Sequence, residues 1–453
     1  MSVMIPTGLG VICLLVVINS VHAVEINTSY DGYSLFRITP QTDTQLQHLL
    51  KLNANTSSGL DFWLRSTAVN NSADVLVAPS AKEPLLKDLR DLKITFKILI
   101  QDVGKLIRED KLAPITVPPG FEFFGKYQSI EDINAYLAHI AYNVTKGVYL
   151  MNLGYSYEGR PLPLIRVTTN PYIQKPAIWI QGGAHAREQV GVAVVVYIAQ
   201  KLSSLCEERV EICTLVDAFD WYILPVANPD GYEYCQNVDR LWRKTRSINP
   251  ENPECVGVDA NRNWDYKWSD AAGSSKDPCS HNYAGPSAFS EPETKSVAQF
   301  MLDKLKGRLL LFLDFHSYSQ RWLTPWGYTS QLPPNYDEQK SLAEVATSAI
   351  AKVNGTKYSV GSSGSILYTV SGGARDWVYG VAGARYSNVV EVRDLGDFGF
   401  VLPRRQIWPT VVETWAGVRA MGLELYRRLA REELENLRAL TAGAQKHTVE
   451  EYY

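Results

Sequence analysis

His185-Ala186-Arg187-Glu188 places an imidazole and a carboxylate three residues apart. Where a chain turns, such a pair can converge on one metal ion. A third ligand has to come from elsewhere. His316, in Leu313-Asp314-Phe315-His316-Ser317-Tyr318, ends an apolar run that reads as a strand. Two histidines and one glutamate form a catalytic zinc set that leaves the fourth position to water. One Zn2+ ion held by His185, Glu188 and His316 is therefore expected. His48, His139 and His281 have no carboxylate at useful spacing and read as ordinary surface or core histidines. No Cys-x-x-Cys pair is present, which argues against a cysteine zinc knuckle.

The elements around these residues alternate. Ala177–Gln181 reads as a strand ending in two glycines, Val190–Leu202 as a helix and Phe219–Val226 as a strand. Pro292–Lys306 reads as a helix, Leu309–Phe315 and Val389–Val392 as strands, and Pro409–Arg428 as a helix. That rhythm predicts an α/β fold with a mixed, mostly parallel central sheet flanked by helices. Ligands in such folds gather at the carboxyl ends of the strands, where His185 and His316 fall. Ahead of it, Tyr33–Ile38, Leu60–Leu64, Asp74–Ala78 and Ile94–Asp102 read as strands, and Asp43–Leu52 and Pro84–Leu92 as helices. The order β-α-β-β-α-β is the split βαβ pattern of a small α+β domain. Arg108–Gly120 carries three prolines and reads as a linker or exposed cleavage segment. The expected division is 1–23, 24–115 and 116–453, with a charged, helix-prone tail from about residue 430.

Of the 453 residues, 45% are hydrophobic and 21% charged, an ordinary globular composition. The net charge of -3 argues against nucleic acid as a partner. Residues 1–23 read as a signal peptide: Gly8–Ile18 is apolar and Val21-His22-Ala23 fits a small-residue cleavage site, although no Lys or Arg precedes the run. The run is too short to span a bilayer, so a secreted, extracellular protein without a membrane segment is expected. Sequons at Asn27, Asn55, Asn70, Asn143 and Asn354 agree with export. Outside the signal are five cysteines, Cys206, Cys213, Cys235, Cys255 and Cys279, an odd number that leaves one over.

Several longer segments occur in register with the zinc residues: Asn228-Pro229-Asp230-Gly231, Arg240-Leu241-Trp242-Arg243-Lys244, Asp259-Ala260-Asn261-Arg262-Asn263-Trp264, His316-Ser317-Tyr318-Ser319 and Glu391-Val392-Arg393-Asp394. Together with His185-Ala186-Arg187-Glu188 they closely resemble the carboxypeptidase A/B family of zinc exopeptidases, from about Phe121 to Leu429. The N-terminal unit resembles that family's inhibitory pro-domain. The resemblance implies a zymogen that hydrolyses C-terminal peptide bonds of peptides and proteins. It implies Glu391 as general base and Arg243 as the cation that stabilises the oxyanion. Asp259 would accept a hydrogen bond from His185. Asn261 and Arg262 would grip the substrate carboxylate, Tyr368 would close over it, and Arg187 and Tyr318 would line the peptide path. The family disulfide maps onto Cys255 and Cys279. Cys206 with Cys213 is a local possibility that would leave Cys235 free. A competing role for Glu391 is a salt bridge with Arg393. No dibasic site marks the linker, so a trypsin-like activating protease cutting after Arg108 or Lys111 is expected, with a monomeric product.

The resemblance also locates the base of the specificity pocket, at the residue before Asp376-Trp377, which is Arg375. A guanidinium there invites an acidic side chain and rejects a cation. The pocket resembles that of the carboxypeptidase O subgroup, which takes acidic residues, although that subgroup is usually described without a full pro-domain. Gly327, Ser363 and Gly364 leave room for a side chain. The alternative has Arg375 paired with Asp376 or turned to solvent. That would leave an apolar pocket lined by Leu323 and Val370 and an A-type enzyme releasing aromatic or aliphatic residues. A non-catalytic peptide-binding relative is a further possibility, opposed by the complete set of ligands and base.

Overall fold

The computed structural model describes residues 28–55, 58–143, 147–204, 210–269 and 273–450, with side chains through 438. The expected signal peptide, the Asn27 sequon and Cys206 lie outside the described residues.

The N-terminal unit runs β1 (Ser34–Thr39), α1 (Asp43–Ala54), β2 (Leu60–Leu64), β3 (Ala73–Val77), α2 (Pro79–Asp91) and β4 (Thr95–Ile100). Its strands form one antiparallel sheet in the order β2-β3-β1-β4. Alternation along β1 sends Phe36 and Ile38 into a core with Leu49, Leu85 and Leu89. It sends Leu35 to the opposite face, where Trp63, Leu76 and Ile100 pack against Leu241, Tyr318 and Phe400 of the larger unit. One face of the sheet is thus covered by its own helices and the other by the second unit.

The segment expected as a linker from Arg108 begins as helix. α3 spans Val103–Leu112. Asp102 caps it by accepting from Lys105 N at 2.8 Å. Val103, Leu106 and Ile107, at helical spacing, join the cluster between the units. At the far end Arg404 donates to the carbonyls of Asp110 and Ala113, each at 2.9 Å, groups that a helix C-terminus leaves without partners. Pro114, Pro118 and Pro119 all come after the helix stops, which is why the proline signal was correct only for the second half.

The second unit contains α4 (Ile130–Asn143), β5 (Val148–Tyr155), β6 (Pro161–Val167), β7 (Ala177–Gly182), α5 (Gln189–Ser203), α6 (Val210–Ala218), β8 (Asp220–Leu224) and α7 (Pro229–Asn237). It continues with α8 (Pro292–Phe300), β9 (Leu309–Ser317), β10 (Arg321–Thr324), α9 (Tyr336–Asn354), β11 (Ser359–Ser362), α10 (Ser363–Ile366), α11 (Ala374–Trp377), β12 (Tyr386–Val392) and α12 (Ile407–Glu450). The eight strands lie in the order β11-β10-β12-β9-β7-β8-β6-β5. Pairs β12/β9, β9/β7, β7/β8 and β10/β11 are parallel. The antiparallel pairs β10/β12, β6/β8 and β5/β6 make the sheet mixed. Every residue of β7 and β9 is buried, as expected for strands covered on both faces. The helix expected over Pro292–Lys306 is α8 followed by a wider five-residue turn, Met301–Leu305. The tail continues α12 rather than leaving it. Among the described residues no helix is long and apolar enough to cross a membrane.

Cys255 and Cys279 are bonded. Cys213 is also disulfide-bonded, and Cys235 is buried and free.

Candidate metal centre and substrate cleft

Three neighbouring parallel strands, β7, β9 and β12, end on the same edge of the sheet, and each delivers a reactive group there. After β7 the chain turns through Gly183, whose φ of +67° suits glycine, and presents His185 and Glu188 just before α5. β9 carries His316 as its penultimate residue. In β12, Glu391 stands in register beside His316.

The three expected ligands converge. His185 Nδ1 lies 2.9 Å from Glu188 Oε1, His316 Nδ1 lies 2.8 Å from Glu188 Oε2, and the two Nδ1 atoms are 3.1 Å apart. All three side chains are buried. Their outer nitrogens meet carboxylates: His185 Nε2 is 3.0 Å from Asp259 Oδ1, and His316 Nε2 is 3.0 Å from Asp314 Oδ2. A carboxylate at Nε2 favours a proton there, so both Nδ1 lone pairs point inward. Two facing lone pairs beside a carboxylate suit a cation, and the donor chemistry fits zinc.

No sequence motif assigns a role to Asp314. It is fully buried, and its signal was a lone acid in an apolar strand two residues from His316, hence on the same strand face.

Asp259 also anchors Arg243, whose Nη2 and Nε lie 2.9 and 3.2 Å from Asp259 Oδ2, while Nη1 sits 3.4 Å from Glu188 Oε1. Burial opposes ionisation of Asp259, but Arg243, Arg262 and His185 outweigh it and hold its acid well below the usual range. Burial, followed by the nearby Glu188 carboxylate, pushes Glu391 up to about 8. The competing salt bridge is absent: Arg393 turns away to Glu413 Oε1 at 2.7 Å and Gln406 Oε1 at 2.9 Å.

His185, Glu188, Arg243, Asn261, Arg262, His316, Tyr318, Tyr368, Arg375 and Glu391 line one cleft of about 720 Å³. Arg262 donates Nε to Gly273 O at 2.8 Å and Nη1 to Asn261 O at 2.7 Å. Arg375 is 4% exposed and donates Nε to Asp376 Oδ1 at 3.1 Å. Both halves of the pocket alternatives thus hold in part: Arg375 does pair with Asp376, yet it still lines the cleft beside Leu323 and Val370.

Arg187 does not line that cleft. It is 2% exposed, stacks 4.0 Å from the Phe400 ring centre and donates to Asp61 Oδ2 of the N-terminal unit at 2.7 Å. His281, which has no carboxylate at useful spacing in the sequence, lies 3.7 Å from Asp61 Oδ1, a partner remote in the chain. Tyr318 OH donates to Asp74 Oδ2 at 2.8 Å. Trp63 and Leu64 line the cleft itself, and the Arg65 guanidinium sits 5.6 Å from the Tyr368 ring centre.

The family described as Zinc carboxypeptidase matches residues 133–417, and that described as Carboxypeptidase activation peptide matches residues 36–110. Mouse carboxypeptidase A2 is 36% identical over 397 residues, covering 87% of this chain and 94% of that protein. Zinc carboxypeptidase A 1 of Anopheles gambiae is 36% identical over 404 residues, covering 88% and 91%. The crystal structure of thrombin activatable fibrinolysis inhibitor superposes with a TM-score of 0.79 at 29% identity, covering 88% of this chain and 100% of that one. The converging donors and the domain reaching into their cleft are thereby explained together: the chain belongs to the zinc carboxypeptidase family, as a zinc-dependent hydrolase carrying its own activation peptide.

Proposed function

We propose that the protein is a secreted, monomeric carboxypeptidase that releases glutamate or aspartate singly from peptide C-termini. The observation that carries this reading is the buried Arg375 guanidinium in the cleft that also holds His185, Glu188 and Glu391. Among the described residues its only hydrogen bond is the one from Nε to Asp376. The two terminal nitrogens are left free toward the cleft, and an acidic side chain can take both in two parallel hydrogen bonds.

The geometry supports the following roles. His185, Glu188 and His316 hold the ion, with Asp259 and Asp314 orienting the two rings. When bound, zinc supplies Lewis acidity toward a carbonyl oxygen and water. Glu391 takes the proton from the attacking water on its carboxylate and returns it to the leaving amine. Arg243, fixed by Asp259, meets the negative charge that develops on the scissile carbonyl oxygen. The Arg262 Nη2, which makes no hydrogen bond among the described residues, and Asn261 receive the terminal carboxylate, and Tyr368 closes over it.

Recognition of a terminal carboxylate gives the test. After trypsin treatment and zinc loading, Glu is expected from a peptide with a free C-terminal Glu and not from its C-terminal amide. Release of Phe but not Glu from matched free-acid peptides would overturn the acidic reading.

Residues 24–115 act as the inhibitory pro-domain and 116–453 as the enzyme, following a signal peptide over 1–23. The pro-domain sets Asp61 and Asp74 on Arg187 and Tyr318, the two residues proposed to line the peptide path. Cleavage after Lys111, in the exposed last turn of α3, by a trypsin-like protease releases it, whereas Arg108 is engaged with Asp31. The sequon residues Asn55, Asn70 and Asn143 are exposed and suited to glycosylation. Asn354, also exposed, already donates Nδ2 to Glu413 Oε2 at 2.9 Å.

Asp61→Asn removes the charge facing the buried Arg187. Breaking such a pair costs about 3 kcal/mol or more, or roughly 100-fold in pro-domain affinity. The intact zymogen of this variant is expected to hydrolyse a small substrate well above the wild-type background. A background equal to that of the wild type would show that Asp61 does not latch the domain.

A further inference from the structure

A charged group at a pocket base selects its ligand only if it is held where the ligand can reach it. Arg375 lies in the four-residue α11, and a long flexible side chain there could collapse onto the cleft wall. Two neighbours prevent this. Asp376 accepts from Gly327 N at 2.9 and 2.8 Å and from Tyr328 N at 2.9 Å, so its carboxylate is fixed to the backbone following β10. The same carboxylate receives Arg375 Nε at 3.1 Å.

Gly327 then contributes a second time. A Cβ placed on it would stand 1.9 Å from Arg375 Nη2 and 3.1 Å from Val370 Cγ2. The guanidinium therefore fills the space that any side chain at 327 would occupy. Neither Nη1 nor Nη2 has a hydrogen-bond partner among the described residues.

We propose that Gly327 and Asp376 are the specificity-setting positioning residues of this enzyme: together they hold the Arg375 guanidinium as a fixed two-nitrogen fork for a carboxylate side chain. The inference rests on the reading that Arg375 receives an acidic side chain. A planar guanidinium forms its two parallel bonds only in a defined plane. The peptide N–H of Gly327 fixes Asp376, Asp376 fixes Nε, and the missing side chain of Gly327 admits Nη2. Gly327 has no positive φ to lose, so alanine there displaces the flexible guanidinium rather than the backbone.

The test is a double-mutant cycle on kcat/KM for matched peptides ending in Glu and in Phe, with wild type, Gly327→Ala, Arg375→Ala and the double variant. Gly327→Ala is expected to lower the Glu-to-Phe ratio by roughly tenfold or more, mainly through KM for Glu. Arg375→Ala should lower it at least as far. The double variant should match Arg375→Ala, because Gly327 acts only through Arg375. A general disturbance of the fold would lower both substrates alike and leave the ratio unmoved. A ratio within about twofold of wild type in Gly327→Ala, or losses that multiply fully in the double variant, would overturn the proposal. If Arg375→Ala itself leaves the ratio unchanged, the acidic-pocket reading fails first. Should Gly327→Ala fail to accumulate, Arg375→Lys keeps the charge but loses the fork and the Nε bond. A ratio undiminished by that change equally overturns the proposal.

Discussion

Replacing Glu391 with glutamine is expected to lower kcat/KM on the order of 10³-fold while leaving bound zinc at one per chain. Glutamine keeps the size and hydrogen-bonding reach of the side chain but cannot take a proton from water or return it to an amine. Glu391 stands beside His316 in the β9/β12 register without belonging to the converging donor group, so the metal set stays complete. Among the described residues no salt bridge reaches it: Arg393 is committed to Glu413, and Arg321, opposite it in the β10/β12 register, acts on it only through space, so the loss should fall on chemistry rather than on folding. Rates and metal content measured on the same preparation check this. A variant that keeps activity within about tenfold of wild type would remove Glu391 as the base. One that loses zinc would place it among the ligands.

Arg375→Asp is expected to exchange the substrate preference. Glu release should fall by about 100-fold, and Lys release should rise from background to become the faster reaction. Position 375 is 4% exposed in wild type, where a charge is screened little by solvent and an opposite charge on the substrate is worth most. Asp376 would lose its Nε partner but keep the Gly327 and Tyr328 backbone donors. Two adjacent carboxylates would then favour a cationic side chain. Measured kcat/KM for matched Glu and Lys peptides decides it, and Glu release equal to wild type would place Arg375 outside the pocket.

Much of this site was legible in the chain because its residues sit in contiguous segments at strand ends. Apolar runs such as Leu309–Phe315 mark buried parallel strands, and the residues that follow them fall at the carboxyl edge of the sheet. Less visible were the short or exposed strands β5, β6, β10 and β11, which carry mixed polarity and little periodic signal. α3 was obscured by the prolines just beyond it, although Asp102 and the spacing of Val103, Leu106 and Ile107 marked its start. The partners of Arg187 and Tyr318 could not have been found by spacing, since Asp61 and Asp74 are 126 and 244 residues away in the chain. Arg375 shows a different limit. Sequence posed a choice between an ion pair with Asp376 and a place in the pocket, whereas a guanidinium has enough donors to do both.

The most direct test of the acidic-terminus assignment is competition for the activated, zinc-loaded enzyme. Three peptides identical except for a C-terminal Glu, Phe or Lys are mixed in equal amounts and followed by mass spectrometry, so that their rates of shortening give the ratios of kcat/KM. A pocket floored by the Arg375 fork predicts that the Glu peptide loses one residue first and the Lys peptide last. Shortening of the Lys or Phe peptide ahead of the Glu peptide would contradict it.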